Sequence, residues 1–254
     1  MILLKSPQEI DIMRRANVIV AEVLAELGEH VAPGVSTQDL DRLAEEGTRS
    51  RDATPAFKGY QVNGRVFPKS VCTSVNDEIV HGIPSPRRVL QEGDLIGLDF
   101  GVCYKGYFGD AAVTICVGGC PDPESRRLMQ AAEEALWAGI EQVRSGNRLG
   151  DVSAAIQERV ERDGFSVVRE FVGHGIGKRL HEDPQVPNYG QRDRGVRLRQ
   201  GMVLALEPMV NAGRPEVVVK EDGWTAVTKD GSRSAHFEHS VAVTENGPYV
   251  LSRI

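Results

Sequence analysis

No stretch of this sequence approaches the roughly 20 consecutive apolar residues that a membrane-spanning helix requires. The opening MILLKSPQEIDIMRRAN also falls short of a secretory signal, since its apolar run covers only Ile2 to Leu4 and acidic residues follow at once. No block of lysine and arginine stands out and the net charge is −6, so the electrostatic footprint of a nucleic-acid binder is missing. Charge gives no support to RNA or ribosome docking. The four cysteines, Cys72, Cys103, Cys116 and Cys120, include no CxxC pair, and no second pair joins Cys116 and Cys120 to complete a zinc site. They read as reduced, mostly buried thiols of a cytosolic protein. There is no low-complexity linker. What remains is 254 residues, 41% hydrophobic and 26% charged, long enough for one large domain or two small ones around a buried core.

Two pairs of helices are predicted. The first helix runs from Pro7 to Glu29, with apolar residues at Ile10, Met13, Val18, Val20, Val23, Leu24 and Leu27. Ser6 is its N-cap, Pro7 opens it, and Glu9 completes a capping box. A second helix follows from Ser36 to about Ser50, and PDPESRRLMQAAEEALWAGIEQV and LGDVSAAIQERVER form the other pair. Shifting the sequence by 112 residues places Arg14, Arg15, Glu22, Leu24, Glu29, Val31, Gly34 and Asp39 on Arg126, Arg127, Glu134, Leu136, Glu141, Val143, Gly146 and Asp151. Each pair ends in the same Val-x-x-Gly turn. We read this as a duplicated half-domain, halves of about 1–118 and 119–254, against the plainer reading of two similar amphipathic helix pairs.

After each pair the apolar period changes to two. DLIGLDFGVCYKGYFGDAAVTICVGG reads as a β-hairpin, and GMVLALEPMV, GWTAVTKDG and SAHFEHSVAVTENGP read as strands bounded by turn residues. With the hairpin turn at Tyr104-Lys105, Asp99 faces Asp110 directly, their Cβ atoms roughly 5 Å apart. Two carboxylates that close on a half-buried sheet repel, and either a shared proton or a cation must compensate. A bulge turning one aspartate to solvent is the alternative. Glu207, in the apolar strand MVLALEPMV, and Glu238, in AHFEHSVAV, add two buried-looking acids with few arginines nearby. Four carboxylates with one imidazole suit one or two divalent first-row ions. Such ions acidify a bound water and favour hydrolysis of an amide or ester. Within GHGIGKRLHED the two histidines, His174 and His181, stand open at this point as two ligands, two bases, or one of each. The glycines of that run are expected to let backbone approach the metal.

The ordered set NDEIVHGIP, GLDFGVCYKGYFGD, GHGIGKRLHEDP, GMVLALEP and SAHFEHSVAV resembles the type I methionine aminopeptidases of peptidase family M24, over nearly the whole chain. The resemblance implies an α+β pita-bread fold, a single catalytic domain spanning residues 1–254. A curved antiparallel sheet would carry two pseudo-symmetric helix pairs on its outer face. It implies two divalent ions (Co, Mn, Fe or Zn). Asp99 would bind one alone, Asp110 and Glu238 would bridge, and His174 with Glu207 would complete the other. Glu207 would also move the proton. The substrate's free α-amine would meet the ion held by Asp99, so that only N-terminal residues are cleaved. His81 would contact the substrate amide, and His181 would hydrogen-bond the scissile carbonyl and stabilise the oxyanion. Phe57, Tyr60, Phe67, Cys72, Leu180 and Trp224 would line the methionine pocket.

The implied activity is removal of the N-terminal methionine from peptides and nascent chains with a small second residue, by a cytoplasmic monomer that meets the ribosome transiently. The lack of a zinc-finger extension reads as bacterial or organellar, and the lack of a long insert before the last motifs as type I. The chain departs from the family pattern in a segment about four residues longer between Tyr60 and Phe67. Asn17 replaces a usual glycine, Ala205 a hydroxyl residue and His236 a glutamine. None of the three substitutions is expected to touch a ligand. His236 and His239 are expected to be structural, with His239 on the opposite sheet face from Glu238, and His30 to sit at a helix C-terminus. Two rival readings share the fold: a proline-directed aminopeptidase or prolidase, and a metal-free peptide-binding protein.

Overall fold

The computed structural model describes residues 1–62 and 64–254; Asn63, in the longer segment between Tyr60 and Phe67, lies outside the described residues. Helix α1 spans Pro7–His30, α2 Thr37–Arg49, α3 Pro123–Glu141 and α4 Leu149–Arg162. The caps follow the local chemistry. Ser6 and Glu9 form the expected capping box, Ser36 and Asp39 form a second, and Asp122 caps α3 just before Pro123. His30 closes α1, its Nδ1 2.8 Å from the Glu26 carbonyl.

Nine strands form one antiparallel sheet: β1 Thr54–Pro55, β2 Cys72–Val75, β3 Leu95–Tyr104, β4 Tyr107–Cys116, β5 Gly173–Gly175, β6 Glu182–Val186, β7 Val203–Leu206, β8 Glu238–Thr244 and β9 Gly247–Val250. The order across it is β1-β3-β4-β8-β7-β5-β6, with β2 also on β3 and β9 also on β8. The β4–β8 pairing joins strands from the first and second halves of the chain into one continuous sheet. Helices α1 and α2 pack on β3 and β4 through a core that includes Ile19, Val23, Leu40, Leu98 and Phe100. Helices α3 and α4 pack on β7 and β8 through Leu136, Val152, Ile156, Leu204 and Val241.

The β3–β4 hairpin corrects the expected register. The turn residues are Lys105 and Gly106, with φ of 49° and 80°, closed by the pair Tyr104↔Tyr107. Positive φ at both central residues is the two-residue turn that matches strand twist, and glycine at the second position selects it over Tyr104-Lys105. Asp99 therefore faces Ala112, and Asp110 faces Gly101. A shift of two residues keeps every side chain on its face, so the aspartates remain diagonal neighbours on one surface.

Two predicted strands are each broken in two. GMVLALEPMV yields β7 and a separate strand Met209–Asn211 in a second, three-stranded sheet, with Glu207 and Pro208 at the corner. Pro208 has no N–H to donate, so the ladder ends there. SAHFEHSVAVTENGP yields Ser234–His236, paired with Met209–Asn211, and then β8. The longer segment after Tyr60 folds as a small ribbon, Gln61–Val62 against Arg65–Val66.

Candidate metal centre

The sheet gathers side chains from distant parts of the chain onto adjacent rungs. Cys72, Asp99, Ala112 and Glu238 lie on one rung across β2, β3, β4 and β8. Asp110 stands two residues along β4 from Ala112, hence on the same face. On the other side Ser240 of β8 pairs Ala205 of β7, which pairs His174 of β5. One donor atom each from Asp110, His174 and Glu238 lies within 4.8 Å of the others. His174 Nε2 is 3.9 Å from Asp110 Oδ2 and 3.5 Å from Glu207 Oε1.

All five acid and imidazole groups line one cavity of about 740 Å³, and so do His81, His181, Phe57, Tyr60, Phe67, Cys72, Leu180 and Trp224. Every site residue expected from the sequence is thus brought to one cleft. Trp224 meets Phe67 edge-on with ring centroids 5.3 Å apart, and the Leu180 and Cys72 side chains join the same apolar cluster. His81 takes a left-handed backbone with φ 59°, a conformation uncommon outside glycine, and its ring stands edge-on to Phe171 at 5.4 Å.

Asp110 and Glu238 are 3% and 2% exposed. Burial pushes the Asp99 carboxyl up to about 7. Burial, then the charges of Glu238 and Asp99, raises Asp110 well above the carboxylate range. Glu207 and Glu238 are raised likewise, by burial first and then by neighbouring carboxylates. Among the described residues no lysine or arginine lies within 4.0 Å of any of the four, and Asp99 Oδ1, Asp110 Oδ1 and Glu238 Oε1 have no hydrogen-bond partner. Buried, unpaired carboxylates at this spacing fit a divalent cation, which would supply the missing partner. His174 fits as a ligand: burial drops its pKa to about 3, so it is neutral, and its Nδ1 is 2.9 Å from the Gly175 carbonyl. That carbonyl accepts a hydrogen bond from Nδ1–H and leaves the Nε2 lone pair facing the carboxylates.

The glycines beside His174 act differently from expectation. A β-carbon at Gly175 would sit 2.1 Å from the Asp183 carbonyl oxygen, and one at Gly173 would sit 2.3 Å from that of Ala205. They admit the neighbouring strands β6 and β7, which clamp β5 from both sides, rather than backbone approach to a metal.

Two substitutions expected to stand clear of the site do touch it. Asn17 Oδ1 accepts a hydrogen bond from the Asp110 backbone N–H at 3.2 Å, and His236 Nε2 lies 3.9 Å from Glu207 Oε2 with no hydrogen-bond partner among the described residues. The alternation that sends His239 away from Glu238 also puts His236 on Glu238's side, so that signal was in the sequence. His239 lies on the helix side, against Trp137 of α3. Ala205 is the direct cross-strand neighbour of His174. The sequence reading also missed Phe171, and Asn188, whose Nδ2 donates to the Glu207 carbonyl at 3.1 Å; no local pattern marks either.

Residues 11–245 match metallopeptidase family M24. Methionine aminopeptidase 1 of Bacillus subtilis is 50% identical over 254 residues, the whole of both chains. The crystal structure of methionine aminopeptidase from Thermotoga maritima superposes with a TM-score of 0.97 at 48% identity, covering all of both chains. A prolidase from Pyrococcus furiosus shares the fold, with a TM-score of 0.76 at 23% identity, over 99% of this chain and 65% of its own. The pita-bread fold expected from the sequence is the fold of these neighbours. The chain belongs to metallopeptidase family M24 and, within it, to the methionine aminopeptidases.

Proposed function

We propose that this chain hydrolyses the first peptide bond of peptides that begin with methionine followed by a small residue, at a pair of divalent ions held by Asp99, Asp110, His174, Glu207 and Glu238. The observation that carries the reading is the gathering of donor atoms of Asp110, His174 and Glu238 within 4.8 Å of one another, with His174 Nε2 turned toward Asp110 and Glu207. When bound, the ions supply an acidified water and polarise the scissile carbonyl.

The chain's own residues do the rest. Asp110 and Glu238, in the tight group with His174, would each offer a carboxylate to the ions. Asp99, one diagonal away, would hold an ion from the other side of the cleft. Glu207 stands at the chain corner after β7, 3.5 Å from His174, and passes the proton lost by the attacking water to the leaving amine. His181 faces the open cleft and donates a hydrogen bond to the scissile carbonyl, where one well-placed donor contributes about 3 kcal/mol to the transition state. His81 is held neutral, its pKa lowered to about 4 by burial and then by His181, so it meets the substrate amide without a charge. The wall of Phe57, Phe67, Cys72 and Trp224, with Leu180 and Tyr60, matches an unbranched thioether in shape and in sulfur–aromatic contact.

The test is turnover of Met-Gly-Met or Met-Ala-Ser by purified protein with Co, Mn or Fe, one at a time, beside an Ala-Pro peptide. Methionine release with little cleavage of Ala-Pro is expected; no turnover with any of these metals sinks the reading. We extend it to nascent chains in the cytoplasm, met transiently at the ribosome by a monomer, and to one catalytic domain built from two related halves. Ribosome co-sedimentation and light scattering test the first parts.

A further inference from the structure

We propose that Tyr60 is a positioning residue that holds the His181 imidazole in the tautomer whose Nε2 carries the proton. The inference rests on the role of His181 stated above and adds what sets it. Tyr60 Oη lies 2.6 Å from His181 Nδ1, with ring centroids 5.2 Å apart. That separation is inside the span of hydroxyl-donated bonds and short of the usual range for N–H donation to oxygen. Burial raises the Tyr60 pKa, so the phenol keeps its proton. The phenol therefore donates, Nδ1 accepts, and the single ring proton of His181 is left on Nε2.

The neighbouring histidine is set the other way. The Gly175 carbonyl accepts from His174 Nδ1, so Nε2 of that ring keeps its lone pair. The two rings are 4.3 Å apart. One imidazole is thereby made a ligand by a backbone carbonyl, and the other a hydrogen-bond donor by a phenol. Without such a partner a neutral imidazole is free to place its proton on either nitrogen, and a His181 ring protonated on Nδ1 would present a lone pair to the carbonyl oxygen it must stabilise.

Tyr60 is itself held firmly. Its N–H donates to the Phe57 carbonyl at 2.9 Å, and its carbonyl accepts the Phe67 N–H at 2.8 Å. The phenol is thus delivered by the turn that opens the longer segment. A second function as pocket wall needs only the ring, which separates the two roles experimentally.

The experiment uses ¹⁵N-histidine-labelled protein loaded with zinc, which is diamagnetic, with His181 assigned through a His181→Asn variant. In the unsubstituted protein the His181 nitrogens should give the separated pair of signals of the Nε2–H tautomer. In Tyr60→Phe, which keeps the ring and loses only the hydroxyl, those signals should move toward each other as both tautomers populate. Turnover of Met-Ala-Ser should fall about tenfold in kcat, with KM changed less than about threefold, the loss expected from one hydrogen bond. Zinc content should not change. His181 signals that stay in place in Tyr60→Phe, or an unchanged kcat, overturn the inference. Full turnover in His181→Asn would instead overturn the role of His181, while the tautomer signals still decide the role of Tyr60.

Discussion

His174 and His181 are seven residues apart in one glycine-rich run, and the atoms around each ring divide their work. His174 turns Nε2 toward Asp110 and Glu207, whereas His181 faces the cleft and meets Tyr60. His174→Ala should therefore lower divalent-metal affinity by more than the roughly 10- to 100-fold that removing a ligand's hydrogen-bond partner costs. His181→Ala should keep its metal and lose turnover by about 100-fold, the effect of removing one oxyanion donor. Metal titration followed by calorimetry, beside a peptide assay, reads both. Equal loss of metal in the two variants would mean that both imidazoles are ligands. The residue types were legible in GHGIGKRLHED. Their separate environments were not, because Tyr60 is 121 positions from His181 in the chain.

At the scale of elements, β5 is three residues wedged between β6 and β7, and its glycines are what make the wedge fit. Gly175→Ala would drive a methyl group into the Asp183 carbonyl. The strand has to move, and His174 moves with it. A loss of about 3 kcal/mol in folding stability is expected from overpacking of this kind. Thermal denaturation and metal affinity should fall together. A variant with unchanged affinity would show that β5 does not set the His174 position. The hairpin β3–β4 was visible as an element from its alternation, but its register was not. Two adjacent turn positions compete, and only the backbone angles of Lys105 and Gly106 settle which one closes the ladder.

At the scale of the whole molecule, the N-terminal segment is tied to the loop that carries His181. Lys5 Nζ lies 2.7 Å from Glu182 Oε2, and both side chains are almost fully buried. Lys5→Met would leave Glu182 as an unpaired buried charge, at a cost of about 3–5 kcal/mol. The melting temperature should fall clearly, and Lys5→Met with Glu182→Leu should recover part of it; no fall in the single variant would contradict the pairing. The metal centre also acts on the whole fold. In metal-free protein the raised carboxyls of Asp99, Asp110, Glu207 and Glu238 bind protons that an unfolded chain releases from about pH 4 upward. Folded protein then holds more protons than unfolded, so the contribution of these groups to stability falls as pH rises toward their folded values. A divalent ion relieves that penalty and competes with those protons. The gain in melting temperature on adding manganese should therefore grow between about pH 5 and about pH 7.5. A gain independent of pH would rule these carboxylates out as the ligands.

The amino-acid sequence by itself determined the four helices, their caps, the hairpin and the concentration of acids in apolar strands. Each of these depends on neighbours a few positions away: a serine before a proline, a glutamate three residues on, an alternation of period two. Only the tertiary structure decided the corner at Glu207-Pro208, the contact of Asn17 with Asp110, the strand clamp around His174 and the phenol on His181. These depend on where distant segments meet, and that is set by packing and sheet register across the whole chain rather than by any local pattern.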